Sequence, residues 1–396
     1  MISKDNEAPL LLDASRLVWR KWSGTRATGI DRICIAWLEH YGSHAQAVII
    51  HRNGQAILPF STSQALFKLL VGPTRRRGDV VRFRAALAAL AIRRSGHLKD
   101  RLEGRGRIWL NPGHTGLDSQ RVADWVRRRD LRLVPLVHDL IPITHPQFCR
   151  QGEDERHRQR MRTVLDIASG VVTNSAHTLD ALRTFAQDEQ RSLPPAAIAW
   201  PGTPILPSVP QRIGIEPSFV ILGTIEGRKN HALLLSLWRQ LLQERGSAAV
   251  PKLLIVGRRG WQADDVFVQL DSRDFGDRVI EVGALDDRRL ADILTNAQAL
   301  LFPSFAEGYG IPLVEALAAG VPVIASDLPV FREIGQGVPE FLPPDDLDAW
   351  RDAVLEYSHP KSSRRAAQMA RRQAFRVPDW RDHFERIDML LENLGS

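Results

Sequence analysis

Short runs of consecutive apolar residues alternate along the chain with stretches whose apolar positions recur every three or four residues. In the first half, the apolar runs that predict strands are "PLLLDASRLVW", "AQAVIIHR", "GRIWLNP", "LRLVPLVHD" and "ASGVVTNS". Helices are predicted between them, for example over "IDRICIAWLEHY" and "SQRVADWVRRR". Strands that alternate with helices indicate a parallel sheet covered on both faces.

A second alternation of the same kind follows a stretch rich in proline. Residues 193–212 contain six prolines, which end helices and weaken central strands, so we predict a connector there. The strands predicted after it are "SFVIL", "KLLIVGRRG", "DRVIEVG", "QALLFPS" and "VPVIASD". A chain of 396 residues is also too long for one compact core. We therefore predict two α/β domains, residues 1–205 and 206–375, and a helix at 376–396 that packs back toward the first domain.

The composition is that of an ordinary soluble globular protein, with 44% hydrophobic and 25% charged residues. The two cysteines, Cys34 and Cys149, form no CxxC pair, which excludes a disulfide scaffold and a zinc ribbon and favours a reducing compartment. No apolar stretch is long enough to span a bilayer, and the first residues do not resemble a signal peptide. We therefore expect a cytoplasmic protein.

The net charge of +7 comes from one segment, residues 75–107, which holds eleven Lys and Arg against three Asp and Glu. Its middle, "VRFRAALAALAIRR", predicts a helix flanked by arginines, so an anionic membrane surface is an expected partner. A solvated helix face explains the same pattern and stays open. Nucleic acid is not expected, because the segment lacks interleaved aromatic residues.

The loop "GTIEGRKN" leaves a predicted strand of the second half. Ligands of parallel sheets bind at the carboxyl ends of strands. Gly223 and Gly227 allow close backbone approach there, and the adjacent cations Arg228 and Lys229 suit a diphosphate. A helix-entry loop with exposed charges remains the alternative.

The loop "FAEGYGIPLVEA" follows another buried strand. Pro312 suits the first turn of a helix, so Glu307 lies in the loop and Glu315 about one turn into the helix. The amides of residues 308–311 then stand at a helix N-terminus, where anions bind. The two carboxylates are also compatible with glycoside hydrolysis.

Together these stretches resemble a known family. "EGYGIPLVE" resembles the glutamate–seven–glutamate motif of the family-4 retaining glycosyltransferases (glycosyl transferases group 1) of bacterial surface-polysaccharide synthesis. "GTIEGRKN" resembles their donor-diphosphate loop, and "VPVIASDLPVFREI" their next strand and turn, over roughly residues 219–346. The resemblance implies the GT-B fold, in which two Rossmann-like domains with parallel sheets face each other across a cleft. The first would bind the acceptor and the second the nucleotide-sugar donor.

The resemblance also implies roles for individual residues. Arg228 and Lys229 would bind the diphosphate of the donor, Glu315 its ribose hydroxyls, and Glu307 its sugar near the reacting carbon. The other residues expected in the donor site are Gly223, Thr224, Gly308, Tyr309, Gly310 and Ile311. The residues implied in catalysis are Glu307, His138, Arg228 and Lys229.

The first half resembles the family more loosely. "RATGIDR" is similar to its glycine-rich loop, which would bring Thr28 and Gly29 to the diphosphate or the acceptor, although a plain turn fits as well. "VHDLIP" places His138 at the edge of the cleft, where the family has a histidine; a structural role stays open. In "TNSAHT", Ser175 or Asn174 is predicted to cap a helix.

The predicted reaction transfers a mannose-, rhamnose- or glucose-type sugar from a nucleotide-diphosphate sugar to a saccharide or lipid-linked oligosaccharide, with retention. No cofactor and no metal are expected, since the only DxD, at Asp346 and Asp348, opens a predicted helix as its cap. The enzyme would be peripheral on the inner face of the cytoplasmic membrane. Two alternatives are a nucleotide-sugar epimerase of the same fold and a non-enzymatic basic binding protein.

Overall fold

The structure is a computed structural model that describes residues 10–24, 28–51, 54–72, 77–94, 105–210, 216–272 and 274–395. It contains two sheets, one of seven strands in the order β3-β2-β1-β4-β5-β6-β7 and one of six in the order β10-β9-β8-β11-β12-β13. All neighbouring strands are parallel except β2 and β3. The first sheet comprises β1 (Leu10–Asp13), β2 (Ala45–His51), β3 (Gly54–Ile57), β4 (Ile108–Asn111), β5 (Arg132–Val137), β6 (Val171–Thr173) and β7 (Ala196–Ile198). The second comprises β8 (Ser218–Leu222), β9 (Lys252–Val256), β10 (Val279–Glu281), β11 (Ala299–Phe302), β12 (Val323–Ser326) and β13 (Glu340–Leu342).

Helices cover both faces of each sheet. In the first domain they are α1 (Ser15–Ser23), α2 (Gly29–Tyr41), α3 (Phe60–Val71), α4 (Arg77–Arg94), α5 (Gln120–Arg128), α6 (Ile141–Thr144), α7 (Glu153–Ile167) and α8 (Ala176–Asp188). The helices after the proline-rich stretch are α9 (His231–Arg245), α10 (Asp264–Asp271), α11 (Asp287–Thr295), α12 (Ile311–Ala318), α13 (Pro329–Gly335), α14 (Leu347–Ser358), α15 (Ser363–Arg372) and α16 (Trp380–Gly395).

Alternation along the strands divides each domain into two cores. In β1, Leu12 faces the cluster that contains Trp37, whereas Leu11 faces the cluster that contains Trp109. Successive side chains of a strand point to opposite faces, so both sides of the sheet must be covered. The second sheet is likewise buried between two clusters.

Two boundaries differ from the sequence prediction. The strand predicted over "PLLLDASRLVW" ends at Asp13, whose carboxylate accepts hydrogen bonds from the amide and hydroxyl of Ser15 and so turns the chain into α1. The proline-rich stretch begins with β7, because the three residues Ala196–Ile198 lie between its prolines and can pair as an edge strand.

Part of the basic segment lies outside the described residues, namely residues 75–76 and 95–104. The helix predicted from "VRFRAALAALAIRR" is confirmed as part of α4. In the part of the chain that the structure describes, no helix is both long and apolar enough to cross a bilayer.

Helix α16 packs against the first domain. Phe384 and Ile387 join the core cluster that contains Trp37. His383 is fully buried beneath it: its Nε2 accepts from Trp37 Nε1 at 2.9 Å, and its Nδ1 lies 3.1 Å from the carbonyl oxygens of Ala199 and Trp200. These partners fix a neutral ring with the proton on Nδ1, because a protonated Nε2 would face the indole N–H.

We expect this contact to make the protein sensitive to acid. Burial lowers the pKa of His383 from its ordinary value of 6.5 to about 4. A histidine whose pKa is lowered in the folded state contributes stability that is complete above pH 6.5 and is lost as the pH falls toward 4, here about 3 kcal/mol. Measured unfolding free energies between pH 7 and 4 should therefore fall less in His383→Phe than in the wild type. Equal slopes for the two proteins would contradict this origin.

Candidate functional site

The candidate site lies where the loops after β8 and β11 meet. These strands are neighbours at the centre of the second sheet, and the chain leaves β8 toward β9 on one side and returns to β11 on the other. Such a switch point opens a crevice at the carboxyl ends of the strands. A backbone hydrogen bond of 2.9 Å from the amide of Phe305 to the carbonyl of Arg228 joins the two loops.

The carboxylate of Glu307 is the centre of a buried charge cluster. Its Oε1 lies 2.5 Å from Lys229 Nζ and 2.8 Å from Arg228 Nη1, and it accepts from the hydroxyl of Ser304 at 2.9 Å. Arg228 also pairs with Glu226 at 2.6 Å and donates to the carbonyl of Ala306. The sequence-predicted cations and Glu307 are thus brought together, with Glu226 as an additional partner that sequence reasoning missed.

The cluster keeps Glu307 and Arg228 ionised although they are buried. Burial by itself raises the pKa of Glu307, but the positive charges of Arg228 and Lys229 outweigh burial and lower it to about 2. Burial also opposes the charge of Arg228, whose pKa is nevertheless raised by Glu307 and Glu226. The pKa of Lys229 is lowered by burial, against the attraction of Glu307. Removing one charge from such a cluster costs about 3–5 kcal/mol when the remaining charge is left unpaired.

Glu315 lies in α12 and contacts the other domain. Its carboxylate accepts from Arg32 Nη1 at 2.9 Å, and the same guanidinium pairs with Asp287 at 3.0 Å. Glu315 is only 3% exposed. Burial raises the pKa of Glu315 to about 7. The positive charge of Arg32 lowers this pKa, and the negative charge of Asp287 raises it. Arg32 was missed as a site residue, although it is the last residue of the "RATGIDR" stretch.

Gly308 presses against the first domain at the end of β5. A Cβ atom at this position would stand 2.3 Å from the carbonyl oxygen of His138, so only glycine fits. The carbonyl of Gly308 accepts from the hydroxyls of Ser175, at 3.0 Å, and Thr178, at 3.2 Å. Ser175 also caps α8 by accepting from the amide of Thr178, which confirms the predicted cap.

The side chain of His138 points into the first domain. Its Nε2 lies 2.7 Å from the carbonyl of Pro112, and its ring centroid lies 5.0 Å from that of His114. Burial lowers the pKa of His138 to about 4, so the ring is neutral at pH 7. Asn174 donates to the His138 carbonyl at 2.8 Å and holds this backbone against Gly308.

The predicted loop of the first domain also reaches the second. Thr28 caps α2 in a reciprocal capping box with Asp31. A Cβ at Gly29 would lie 2.7 Å from the side chain of Ile311, which places the start of α2 against the start of α12. Glu333 makes a further contact that the sequence did not suggest, because it accepts from the amides of Ala176 and His177 at the start of α8.

The other residues predicted in the donor site lie in different surroundings. Gly223 packs against the side chain of Lys229, so that a Cβ atom at Gly223 would lie 3.3 Å from Lys229 Cε. Thr224 lies beside Gly260, which belongs to the loop after β9. Gly310, with a positive φ of 113°, precedes α12. The side chain of Tyr309 is buried in the core of the second domain, and its hydroxyl donates to the carbonyl of Pro201.

Asp346 caps α14 by accepting from the amide of Ala349 at 3.0 Å, so its cap role is confirmed. Within the described ranges, no three His, Cys, Asp or Glu side chains are grouped as a metal-ligand set.

Comparison with known proteins identifies the second domain. Residues 209–373 match the family model of the glycosyl transferases group 1. The second domain belongs to the glycosyl transferases group 1. The match confirms the resemblance that the motifs between residues 219 and 346 indicated. The group 1 domain contains the whole Glu307 cluster and Glu315.

Two mannosyltransferases of Escherichia coli each match part of this chain. A serotype-specific mannosyltransferase, WbdA, is 26% identical over 252 residues, which cover 57% of this chain and 31% of the relative. The O-antigen chain mannosyltransferase B is 29% identical over 245 residues, or 60% of this chain and 64% of the relative. The chain therefore spans about a third of the length of the first relative and just under two thirds of the second.

The fold extends over both domains. Anabaena HepE, solved in complex with UDP and glucose, covers 98% of this chain with 100% of its own, with a TM-score of 0.63 and 16% identity. The predicted GT-B fold is confirmed.

Proposed function

We propose that this protein transfers a sugar from a nucleotide-diphosphate sugar to a hydroxyl of a saccharide or lipid-linked oligosaccharide, with retention of the anomeric configuration. The observation that carries the proposal is the pair of buried cations, Arg228 and Lys229, fixed on Glu307 beside the start of α12. Both relatives of E. coli are named as mannosyltransferases, which supports mannose as the sugar. The O-antigen chain named for one of them supports a polysaccharide acceptor.

In this proposal, Arg228, Lys229 and the amides of residues 308–311 stabilise the negative charge of the leaving diphosphate. Three donors share Oε1 of Glu307, and none of the described residues donates to Oε2, so that oxygen is left for a hydroxyl of the donor sugar. Glu315 accepts from the ribose hydroxyls. The departing phosphate oxygen takes the proton of the acceptor hydroxyl, so the reaction needs no dedicated base. Arg228 and Lys229 supply at the diphosphate the positive charge that a metal ion would otherwise supply.

His138 has a different part in the proposal from the one the resemblance implied. Its ring is bound to the carbonyl of Pro112, whereas its own carbonyl meets Gly308. We assign His138 a positioning function. Its backbone carbonyl sets the distance between the first domain and the loop of residues 303–310, which we name the donor loop. A peripheral position on the inner face of the cytoplasmic membrane, as an enzyme of lipopolysaccharide or capsule synthesis, completes the proposal, because residues 75–107 are strongly basic.

The decisive experiment measures donor binding and acceptor-dependent donor consumption together. Thermal unfolding is followed with GDP-mannose, UDP-glucose and dTDP-rhamnose, since a ligand that binds only the folded state raises its melting temperature. The stabilising donor is then incubated with and without octyl α-mannoside, and the product linkage is read by NMR. Nucleoside diphosphate release that requires the acceptor, with an α product from an α donor, supports the proposal. Acceptor-independent conversion of the donor sugar would indicate the epimerase instead, and no stabilisation by any donor would reject the site.

We also expect donor affinity to rise with pH. Charged carboxylates accept stronger hydrogen bonds than neutral carboxyls. With a pKa of about 7, Glu315 is mostly protonated at pH 6 and mostly ionised at pH 8, so affinity should rise about tenfold over this interval. Because the Arg32 guanidinium lowers this pKa, Arg32→Gln should move the midpoint to higher pH.

Calorimetric titration with the nucleotide sugar suits this measurement, since its diphosphate diester does not titrate in this range. Glu315→Gln is the control and should bind weakly at every pH. A wild-type profile as flat as that of the control would contradict the assignment of Glu315.

A further inference from the structure

The segment between α6 and α7 reaches from the first domain to the second. It contains a single helical turn, Pro146–Phe148, in which the amide of Phe148 donates to the carbonyl of His145 at 3.1 Å. The ring of His145 stacks on that of Phe148, with the two centroids 6.3 Å apart. We name residues 145–150 the strap, because both of its ends lead into helices of the first domain while its middle contacts the second domain.

Stacking and hydrogen bonds join the strap to the second domain. The ring of Phe148 stacks on the ring of Phe305, with the centroids 5.3 Å apart and the planes inclined by 8°. Trp261 Nε1 donates to the carbonyl of Phe148 at 3.4 Å, and Gln262 Nε2 donates to that of Cys149 at 2.5 Å. The strap is therefore held by several separate contacts, each of which can part and form again.

The strap crosses the loop that carries Arg228. Trp261 and Gln262 follow β9, and Phe305 follows β11, whereas β8 lies between these two strands in the sheet. A segment that contacts both neighbours must pass over the loop that leaves β8 at the same edge. The packing there is close, since a Cβ atom at Gly227 would lie 2.7 Å from the carbonyl oxygen of Gln262.

The strap also adjoins the charge cluster. Phe305 stacks on the strap with its ring and donates from its amide to the carbonyl of Arg228. Burial raises the pKa of the Cys149 thiol, and the charges of Arg228 and Glu226 act on it as well, so the strap lies within electrostatic reach of the cluster. Only 17% of the Arg228 side chain and 9% of the Glu307 side chain are exposed. The strap is thus part of the wall that separates these charges from solvent.

We propose that the strap makes sugar transfer selective for the acceptor hydroxyl over water. Closing an active site expels water and so prevents hydrolysis of a reactive intermediate or donor. When the strap parts from the second domain, water can take the place of the acceptor. The bond from the anomeric carbon to the phosphate oxygen then breaks, a bond to the water oxygen forms, and the proton of the water passes to the departing phosphate oxygen. This inference rests on the proposed function, which supplies the donor.

Two other roles of the strap predict different kinetics. A joint that only stabilises the arrangement of the domains would change the melting temperature and leave the ratio of hydrolysis to transfer unchanged. An acceptor subsite would change the KM of the acceptor without raising hydrolysis. The ring of Phe148 already stacks on Phe305 and on His145, which favours a seal over a surface for binding sugar.

The test compares hydrolysis with transfer in Phe148→Ala and Gln262→Asn. GDP-mannose is incubated without acceptor and at saturating octyl α-mannoside, and the release of GDP is measured in both. Loss of an aromatic pair shifts the equilibrium between closed and open forms by up to about tenfold, so Phe148→Ala should raise hydrolysis relative to transfer by about this factor. Gln262→Asn shortens the side chain that donates to Cys149 and should raise the ratio about threefold. Asparagine also tolerates the positive φ of 50° at position 262.

The first domain offers a matched control for each variant. Phe60→Ala changes a half-buried phenylalanine at the start of α3. This helix follows β3, which runs antiparallel to its neighbour and therefore ends at the edge of the sheet away from the cleft. Gln55→Asn removes a hydrogen bond of the same kind as that of Gln262, since Gln55 Nε2 donates to the carbonyl of Arg121 at 3.0 Å. Both controls should keep the wild-type ratio of hydrolysis to transfer.

Hydrogen–deuterium exchange of the ligand-free protein tests the cover without the reaction. The amides of Lys229 and Asn230 donate to the carbonyls of Glu226 and Gly227, within the loop that the strap crosses. Amides exchange faster where local opening is easier. Exchange in this loop should therefore be severalfold faster in Phe148→Ala than in the wild type, and unchanged in the control at position 60.

The outcomes separate the strap from the proposed function. Wild-type hydrolysis and exchange in a folded Phe148→Ala protein would overturn the proposal, and so would equal increases in the variants and their controls. A higher KM for the acceptor with unchanged hydrolysis would assign the strap to acceptor binding instead. If Phe148→Ala does not fold, Gln262→Asn decides by the same two measurements. Faster exchange in the strap variants of a protein that consumes no donor would support the cover and reject the proposed function.

Discussion

Lys229→Met should lower kcat/KM for sugar transfer by about 10²–10³-fold, with little loss of stability. Removing one preorganised charge from a water-excluded site has an effect of this size on a transition state that develops negative charge. The fold should tolerate the change because Glu307 keeps Arg228 at 2.8 Å and Ser304 at 2.9 Å, so its carboxylate is not left unpaired. Methionine also matches the length of the lysine stem, although it loses the Nζ that lies 4.7 Å from the ring centroid of Phe302.

Arg228 would be a poorer choice for this test, because it bridges Glu307 and Glu226 and its removal would leave a buried carboxylate without a partner. The control is Lys252→Met, which removes a lysine paired with Glu216 elsewhere in the second domain. We expect the control to retain wild-type kcat/KM. Transfer by Lys229→Met within threefold of wild type, in a protein with an unchanged melting temperature, would remove Lys229 from the mechanism.

Gly308→Ala should abolish most transfer while leaving donor binding nearly intact. The new methyl group would require about 1 Å of separation between the donor loop and the carbonyl of His138, since real Cβ contacts are longer than 3.0 Å. A displacement of 1 Å between reacting groups reduces rates by about a hundredfold. The Glu307 cluster and Glu315 belong to the second domain, and alanine keeps the backbone amide of residue 308, so the Kd of the nucleotide sugar should change by only a few fold.

Gly54→Ala is the matched control, because no atom lies within 4 Å of a Cβ at that position. Unfolding free energy should fall by about 1–2 kcal/mol in Gly308→Ala, through the hydrogen bonds that Ser175 and Thr178 make to its carbonyl. Parallel loss of donor binding and transfer would show that the alanine distorts the donor loop itself. Unchanged transfer would show that the contact with His138 has no influence on the reaction.

The sequence predicts those parts of the site that depend on one sheet. Arg228 and Glu307 follow strands whose apolar character is plain, and neighbouring parallel strands deliver their loops to one edge. Contacts between the domains could not be predicted from the sequence. Arg32 and Glu315 are 283 residues apart, and nothing in the local pattern around either one specifies the orientation of two sheets that are separated by a connector. The burial of Tyr309 was missed for a related reason, since its partner, Pro201, belongs to the connector.

The return of α16 to the first domain affects the order in which the protein can fold during synthesis. Roughly 180 residues separate the end of β7 from the start of this helix. At about 5–20 residues per second, the ribosome needs on the order of ten to forty seconds to produce them. Throughout that time Trp37 and its neighbours lack the helix that covers them, while the whole second domain emerges and can fold. The nascent first domain therefore exposes an apolar surface until α16 packs on it. Chaperone binding to this surface should decline when residue 395 leaves the exit tunnel.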